Sequence, residues 1–169
     1  PNALLVIAPR HPERFDRVVQ LCENQSFSVE RYSAQEYPKA ATQVYVADTM
    51  GQLPTFYRAS DVAFVGGSLV PIGGHNIIEA ASAKTAIVTG PHTHNFTAII
   101  EEFKKAHACE IIQDELSLVK CIQALLANSS QRAALANAAE KLVEKNVGVL
   151  EKLLLHVANL INSDFKNYN

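Results

Sequence analysis

The densest concentration of chemistry lies in Val65-Gly66-Gly67-Ser68-Leu69-Val70-Pro71-Ile72-Gly73-Gly74-His75-Asn76-Ile77-Ile78-Glu79. Four of the chain's seven glycines fall in this stretch, and so much backbone freedom is costly unless something must approach the main chain closely. A helix is expected to begin near His75. Its first N–H groups and positive dipole end suit a phosphate. Glu79 then falls one turn into that helix, three residues past Asn76, where its carboxylate can accept from a pair of ribose hydroxyls. The pattern is neither GxGxxG nor a Walker loop. A tight turn accounts for one Gly pair but hardly for both, which points to a ligand.

Three further places carry candidate groups. Arg10 follows an apolar run in Ala8-Pro9-Arg10-His11-Pro12-Glu13-Arg14, where a guanidinium can grip a phosphate or carboxylate bidentately or simply decorate the surface. In Asp48-Thr49-Met50-Gly51-Gln52-Leu53, Thr49 and Gln52 have the spacing of a capping box, and Gly51 allows close backbone approach. Gly90-Pro91-His92-Thr93-His94-Asn95-Phe96 adds two histidines to His75. Imidazoles suit zinc, but no Asp, Glu or Cys stands nearby in sequence to complete a metal site, so histidines lining a cleft are the expectation. There is no GxSxG elbow and no paired Cys/His arrangement of a hydrolase. Cys22, Cys109 and Cys121 are odd in number and widely spaced, and read as reduced thiols rather than staples or ligands.

These groups need elements to position them, and the chain supplies an alternation of short apolar runs and amphipathic stretches. Ala3–Ala8 reads as a fully buried strand ended by Pro9, and His11–Asn24 as a helix with Phe15, Val18, Val19 and Cys22 on its apolar side. Further strands are expected at Phe27–Tyr32, Gln43–Ala47, Val62–Val65, Ala86–Thr89 and Cys109–Ile112. Helices are expected at Asn95–Ala106 and Glu115–Ala127. From Ser129 the pattern is helix only, with Ala133–Val147 Ala-rich, a break at Gly148, a last helix through Leu154 to Ile161, and a polar fraying tail at Asn162–Asn169. Parallel strands need crossovers, so this order predicts an α/β fold with a doubly wound, Rossmann-like parallel sheet whose ligand site lies at the strands' carboxyl ends. No internal repeat or low-complexity linker interrupts residues 1–169, which are read as one domain.

Composition narrows the partners. Fifteen Lys+Arg against 17 Asp+Glu give a net charge of −2, which argues against nucleic acid held by bulk electrostatics. Hydrophobic residues at 48% suffice for a sizeable core. No apolar run approaches the roughly 18 residues of a membrane span. The opening Pro1-Asn2-Ala3-Leu4-Leu5-Val6-Ile7 has no initiator Met, and a strand at the first residue is expected of a fragment of a longer chain.

Taken together, the motif around Pro9, Arg10 and His11, then Asp48-Thr49-Met50-Gly51, then Gly66-Gly67-Ser68 and Gly73-Gly74-His75-Asn76-x-x-Glu79, then Gly90-Pro91-His92 with Asn95-Phe96, resembles the bacterial Kdo transferases, in that family's order. That family moves 3-deoxy-D-manno-oct-2-ulosonic acid (Kdo) from CMP-Kdo onto the lipid A precursor, lipid IVA, in lipopolysaccharide assembly. The resemblance spans the chain to about Phe96, and beyond the fifth strand the pattern is generic helix.

The resemblance implies the carboxy-terminal, donor-binding domain of a GT-B enzyme, with an amino-terminal acceptor domain absent from this chain. It implies CMP or CMP-Kdo binding by Pro9, Arg10, Met50, Gly51, Gln52, Gly67, Ser68, His75, Asn76, Ile77, Ile78 and Glu79. Gln52 stands where many members carry Glu, and Ile77 where many carry Pro; neither change removes a needed group if Gly51 acts through its backbone. The implied transfer is inverting, with no metal and no cofactor, and Arg10 stabilises the departing CMP. The general base is a Glu of the absent half, so this chain alone is expected to bind donor weakly and transfer nothing. The full-length protein is expected at the cytoplasmic face of the inner membrane, with this portion soluble and no nucleic-acid partner. Other readings remain open from the residues: a different GT-B enzyme, such as a UDP-sugar transferase or nucleotide-sugar epimerase, or a non-catalytic nucleotide-binding module.

Overall fold

The computed structural model describes residues 3–35 and 37–146. The expected break at Gly148, the last helix and the polar tail lie outside these residues. The chain divides into two compact units, residues 1–56 and 57–169.

The first unit holds a parallel sheet of β1 (Leu5–Ile7), β2 (Val29–Arg31) and β3 (Val44–Val46), in the order β1-β3-β2. The register sets both Leu5 and Val29 against Val44. A single 3-10 turn at Pro12–Arg14 leads into helix α1 (Phe15–Asn24), so the helical pattern starts later than His11. The apolar side of α1 covers the sheet: Val19, Val44 and Val46 are buried together, with Val18, Cys22, Ile7 and Val29 packed around them. Each such side chain removed from water contributes roughly 1.5–3 kcal/mol.

The Ala3–Ala8 run is a strand, but it is not fully buried, since Leu5 is 55% exposed and Leu4 is exposed as well. The reason is topological. Apolar composition marks a strand that can be buried on both faces, but β3 takes the central place in its sheet and β1 stands at an edge.

The second unit holds β4 (Val62–Val65), β5 (Ala86–Thr89) and β6 (Glu110–Ile111) in that spatial order, all parallel. Alternation along β4 and β5 sends side chains to two separate cores, as period-two strands must. Ala63, Val65 and Ile87 face α3 (Ile78–Ser82) and α4 (Thr97–Lys105), where Ile77, Ala80, Ala81, Ile100 and Phe103 are buried. Ala86 and Val88 face the other way, with Leu125 of α5 (Glu115–Ala127) and Leu135. The sheet is thus covered by helices on both faces, as the chain order predicts for an α/β fold. A further helix, α6, occupies residues 129–146, and its Ala139 reaches the first of these cores.

The bounds of α5 match the sequence reading, and a reciprocal capping box sets its start. Asp114 Oδ1 accepts from the Ser117 N–H at 2.7 Å, and Ser117 Oγ accepts from the Asp114 N–H at 2.9 Å. The first helix of the glycine-rich region departs more. It begins at Ile78 rather than near His75 and lasts five residues; Gly73 and Gly74 stand at positive φ, and the Asn76 Oδ1 accepts from the Ile78 N–H where the helix starts.

Candidate functional site

The candidate residues fall in two groups, one in each unit. In the first unit, Pro9 and the exposed Arg10 follow β1, and exposed Met50, Gly51 and Gln52 follow β3. The turn into α2 (Leu53–Ala59) is made by Gly51 at φ +79°, with open space where a side chain would stand. Thr49 and Gln52 do not form the expected capping box. Gln52 itself immediately precedes the helix, and its Oε1 accepts from Thr55 Oγ1 at 3.5 Å. The left-handed turn at Gly51 places Thr49 too far upstream to cap.

What anchors this turn is Asp48, to which the sequence motif alone assigns no role. Its nearly buried carboxylate accepts from the Ser33 N–H at 2.8 Å and from Ser33 Oγ at 2.6 Å. Arg31 Nη1 stands 3.6 Å from Asp48 Oδ2, and the Arg31 guanidinium also pairs with Asp16. The hydrogen bond to Asp16, and then the Asp16 and Asp48 charges, raise the Arg31 pKa further against the opposing effect of burial. The ends of β2 and β3 are thereby tied, and Met50-Gly51-Gln52 leaves from a fixed point. No sequence signal marks the partnership, since Ser33 and Asp48 lie 15 residues apart.

In the second unit, the glycine-rich loop leaves β4 and closes on itself where the Gly74 N–H donates to Gly67 O at 2.8 Å. Gly67 lies at φ +71° against the His75 ring, whose Nε2 would be 3.0 Å from a Cβ there. Gly73, at φ +106°, faces the side chains of His94 and Asn95. These two positions require glycine for both conformation and space.

Ser68 is fully buried, and its hydroxyl is engaged inside the protein. Its Oγ donates to Val65 O at 2.8 Å and accepts from the Gly90 N–H at 2.8 Å. Ile77 is also 0% exposed, main chain included, and packs in the core. Asn76 is exposed, with its Oδ1 accepting from the Ile78 N–H at 3.0 Å, and Glu79 is exposed as well. Burial, and then the Glu79 carboxylate, push the Tyr57 phenol above its ordinary pKa. His75, Asn76 and Glu79 therefore present polar groups, whereas Ser68 and Ile77 serve the packing beneath them. Among the described residues, no three His, Cys, Asp or Glu side chains gather to hold a metal ion.

Residues 1–142 match the model of the family described as glycosyl transferases group 1. The chain belongs to the group 1 glycosyl transferases. Within that family it is 41% identical over 155 residues to a 3-deoxy-D-manno-octulosonic acid transferase of Haemophilus influenzae, covering 91% of this chain and 36% of the relative. A transferase of the same description from Bordetella pertussis is 34% identical over the same shares. The chain thus spans about a third of the length of these curated relatives.

Among solved structures, it matches the C-terminal CMP-Kdo binding domain of WaaA from Acinetobacter baumannii. The TM-score is 0.78 at 42% identity, over 82% of this chain and 72% of that one. The C-terminal domain of a glycosyl transferase group 1 protein from Francisella tularensis shares the fold at a TM-score of 0.53 and 15% identity, over 80% of this chain and 64% of that one. This group 1 chain carries the α/β architecture expected of a glycosyl transferase's C-terminal domain, and the Kdo transferase resemblance extends well beyond Phe96.

Proposed function

We propose that this chain is the donor-binding domain of a transferase that moves Kdo from CMP-Kdo to the lipid A precursor, lipid IVA. The observation that carries the reading is the match, at 42% identity, to a solved CMP-Kdo binding domain. The donor-binding residues proposed are Pro9, Arg10, Met50, Gly51 and Gln52 in the first unit, and Gly67, Ser68, His75, Asn76, Ile77, Ile78 and Glu79 in the second. In this reading Arg10, Asn76 and Glu79 offer side chains, Gly51 offers main chain, Gly67 with Ser68 shapes the loop, and the buried Ile77 supports it from the core.

Transfer breaks the bond between the Kdo anomeric carbon and the CMP phosphate, so negative charge builds on the departing CMP. A short helix of five residues has little dipole to offer, and in this reading the Arg10 guanidinium supplies that stabilisation. The acceptor hydroxyl loses its proton to a general base on an amino-terminal domain outside this chain, with inversion at the anomeric carbon and no metal ion taking part. The chain by itself then binds CMP without turning over. The full-length enzyme works at the cytoplasmic face of the inner membrane. No helix among the described residues is long and apolar enough to cross a membrane, which is compatible with anchoring elsewhere.

Calorimetric titration of the chain with CMP, with UMP and ADP as controls, tests the donor assignment. Selective CMP binding that falls roughly tenfold to a hundredfold in Arg10→Ala, the scale of a lost hydrogen bond to a charged group, is expected. Equal affinity for UMP would turn the reading toward a UDP-sugar enzyme. Transfer by the isolated chain would refute the placement of the base.

A further inference from the structure

The loop that links β4 to α3 is held at both ends by the residues after β5. At one end, the Gly90 N–H donates to Ser68 Oγ at 2.8 Å and the His92 N–H donates to Ser68 O at 2.9 Å. At the other, Asn95 makes two bonds: its N–H donates to Gly73 O at 3.2 Å, and its Nδ2 donates to Ile72 O at 3.3 Å. The fit there is close, because a Cβ on Gly73 would collide with the Asn95 amide. Gly73 and Gly74 are the residues whose left-handed backbone sends the chain into His75 and Asn76. Left to themselves, two adjacent glycines sample many conformations, and a ligand would bear the entropy of choosing one.

We propose that Asn95 is a positioning residue for the donor: its side-chain amide fixes Ile72-Gly73-Gly74 in one conformation and so presets the direction in which His75 and Asn76 leave the loop. The proposal rests on the donor reading under Proposed function, and it assigns Asn95 no contact with the donor. A loop ordered in advance binds its ligand without paying for the ordering, so losing the brace weakens binding rather than chemistry. Asn95→Asp tests this best. The substitution keeps the shape but replaces the donating Nδ2 with an oxygen facing the Ile72 carbonyl.

In the full-length protein, Asn95→Asp is expected to raise the KM for the nucleotide donor about three- to tenfold, the scale of one net hydrogen bond, with kcat and the acceptor KM within about twofold of wild type. Gly73→Ala, which strikes the same contact from the other side, should raise the same constant. The double variant should lose much less than the product of the two single effects. A purely structural role would instead lower thermal stability and raise both KM values together.

Amide hydrogen exchange on the chain, read over residues 66–76, supplies the ligand-free measurement: Asn95→Asp should speed exchange of these amides while leaving β4 and β5 protected. An unchanged donor KM, an equal loss in kcat, full additivity with Gly73→Ala, or unchanged exchange would each overturn the proposal. If the wild-type chain fails to bind CMP but exchange responds as expected, the donor reading fails and the brace stands as a feature of the loop alone.

Discussion

Substituting glycines one at a time separates the two physical reasons for having glycine, space and conformation, and the structure ranks them. At Gly90 the backbone is not left-handed, so conformation is no obstacle, but an added Cβ would lie 2.6 Å from the Ser68 carbonyl carbon and 2.9 Å from the Leu69 N. These are main-chain atoms and cannot swing aside. Relief requires the β4 loop to move away from the end of β5, which stretches the Gly90 N–H to Ser68 Oγ and His92 N–H to Ser68 O bonds, both now under 3 Å. Overpacking of this kind costs about 1–3 kcal/mol, and each buried bond lost adds about 1 kcal/mol. Gly90→Ala is therefore expected to destabilise by about 4 kcal/mol, a large fraction of the roughly 5–15 kcal/mol that holds a domain folded.

Gly51→Ala meets open space but keeps φ near +79°, so only the left-handed strain of about 1 kcal/mol applies. Gly66→Ala meets neither obstacle and should be neutral or stabilise by up to about 1 kcal/mol through the unfolded chain. Urea melts of the three variants, followed by far-ultraviolet circular dichroism, give the order directly. A Gly90→Ala protein within about 1 kcal/mol of wild type, or a Gly66→Ala protein less stable than Gly90→Ala, would refute the steric argument.

Two further expectations concern titration. Burial, helped by the neighbouring Glu110 charge, pushes the Cys109 thiol up to about 11, so at pH 8 only about a thousandth of it is thiolate. Native Cys109 should therefore resist iodoacetamide at pH 8 and react once the chain is unfolded in urea, a contrast that peptide mapping reads. Asp114 and Glu30 both titrate below their ordinary values, chiefly through the Ser117 backbone N–H and the Thr42 hydroxyl respectively. A depressed carboxylate favours the folded state at pH values above its unfolded pKa, and that contribution is lost as pH falls through the folded pKa. Thermal midpoints should accordingly drop as pH is lowered from about 5 toward 3, and the drop should be shallower in Asp114→Asn.

How far the order of residues alone carried the description depends on the range of the forces involved. Strands β4 and β5 and helix α5 were legible because their signals are local: short apolar runs beside Asp or Gly, and a helical pattern over Glu115–Ala127. The glycine-rich motif and its neighbours were legible as chemistry for the same reason, since glycine spacing and a following Asn and Glu are visible in one line.

What lay beyond reach depends on partners distant in the chain. Leu5 looks like a buried strand residue, and only the sheet order, with β3 taking the centre, leaves it exposed. Ser68 and Ile77 look available to a ligand, but the fold turns them inward, onto Gly90 and onto the core beneath α3. Asp48 and Asn95 stand inside the motifs of the resemblance, but the sequence assigns neither a role. Each acquires its role from a carbonyl or hydroxyl 15 or more residues away, brought within hydrogen-bond reach only when the strands have paired.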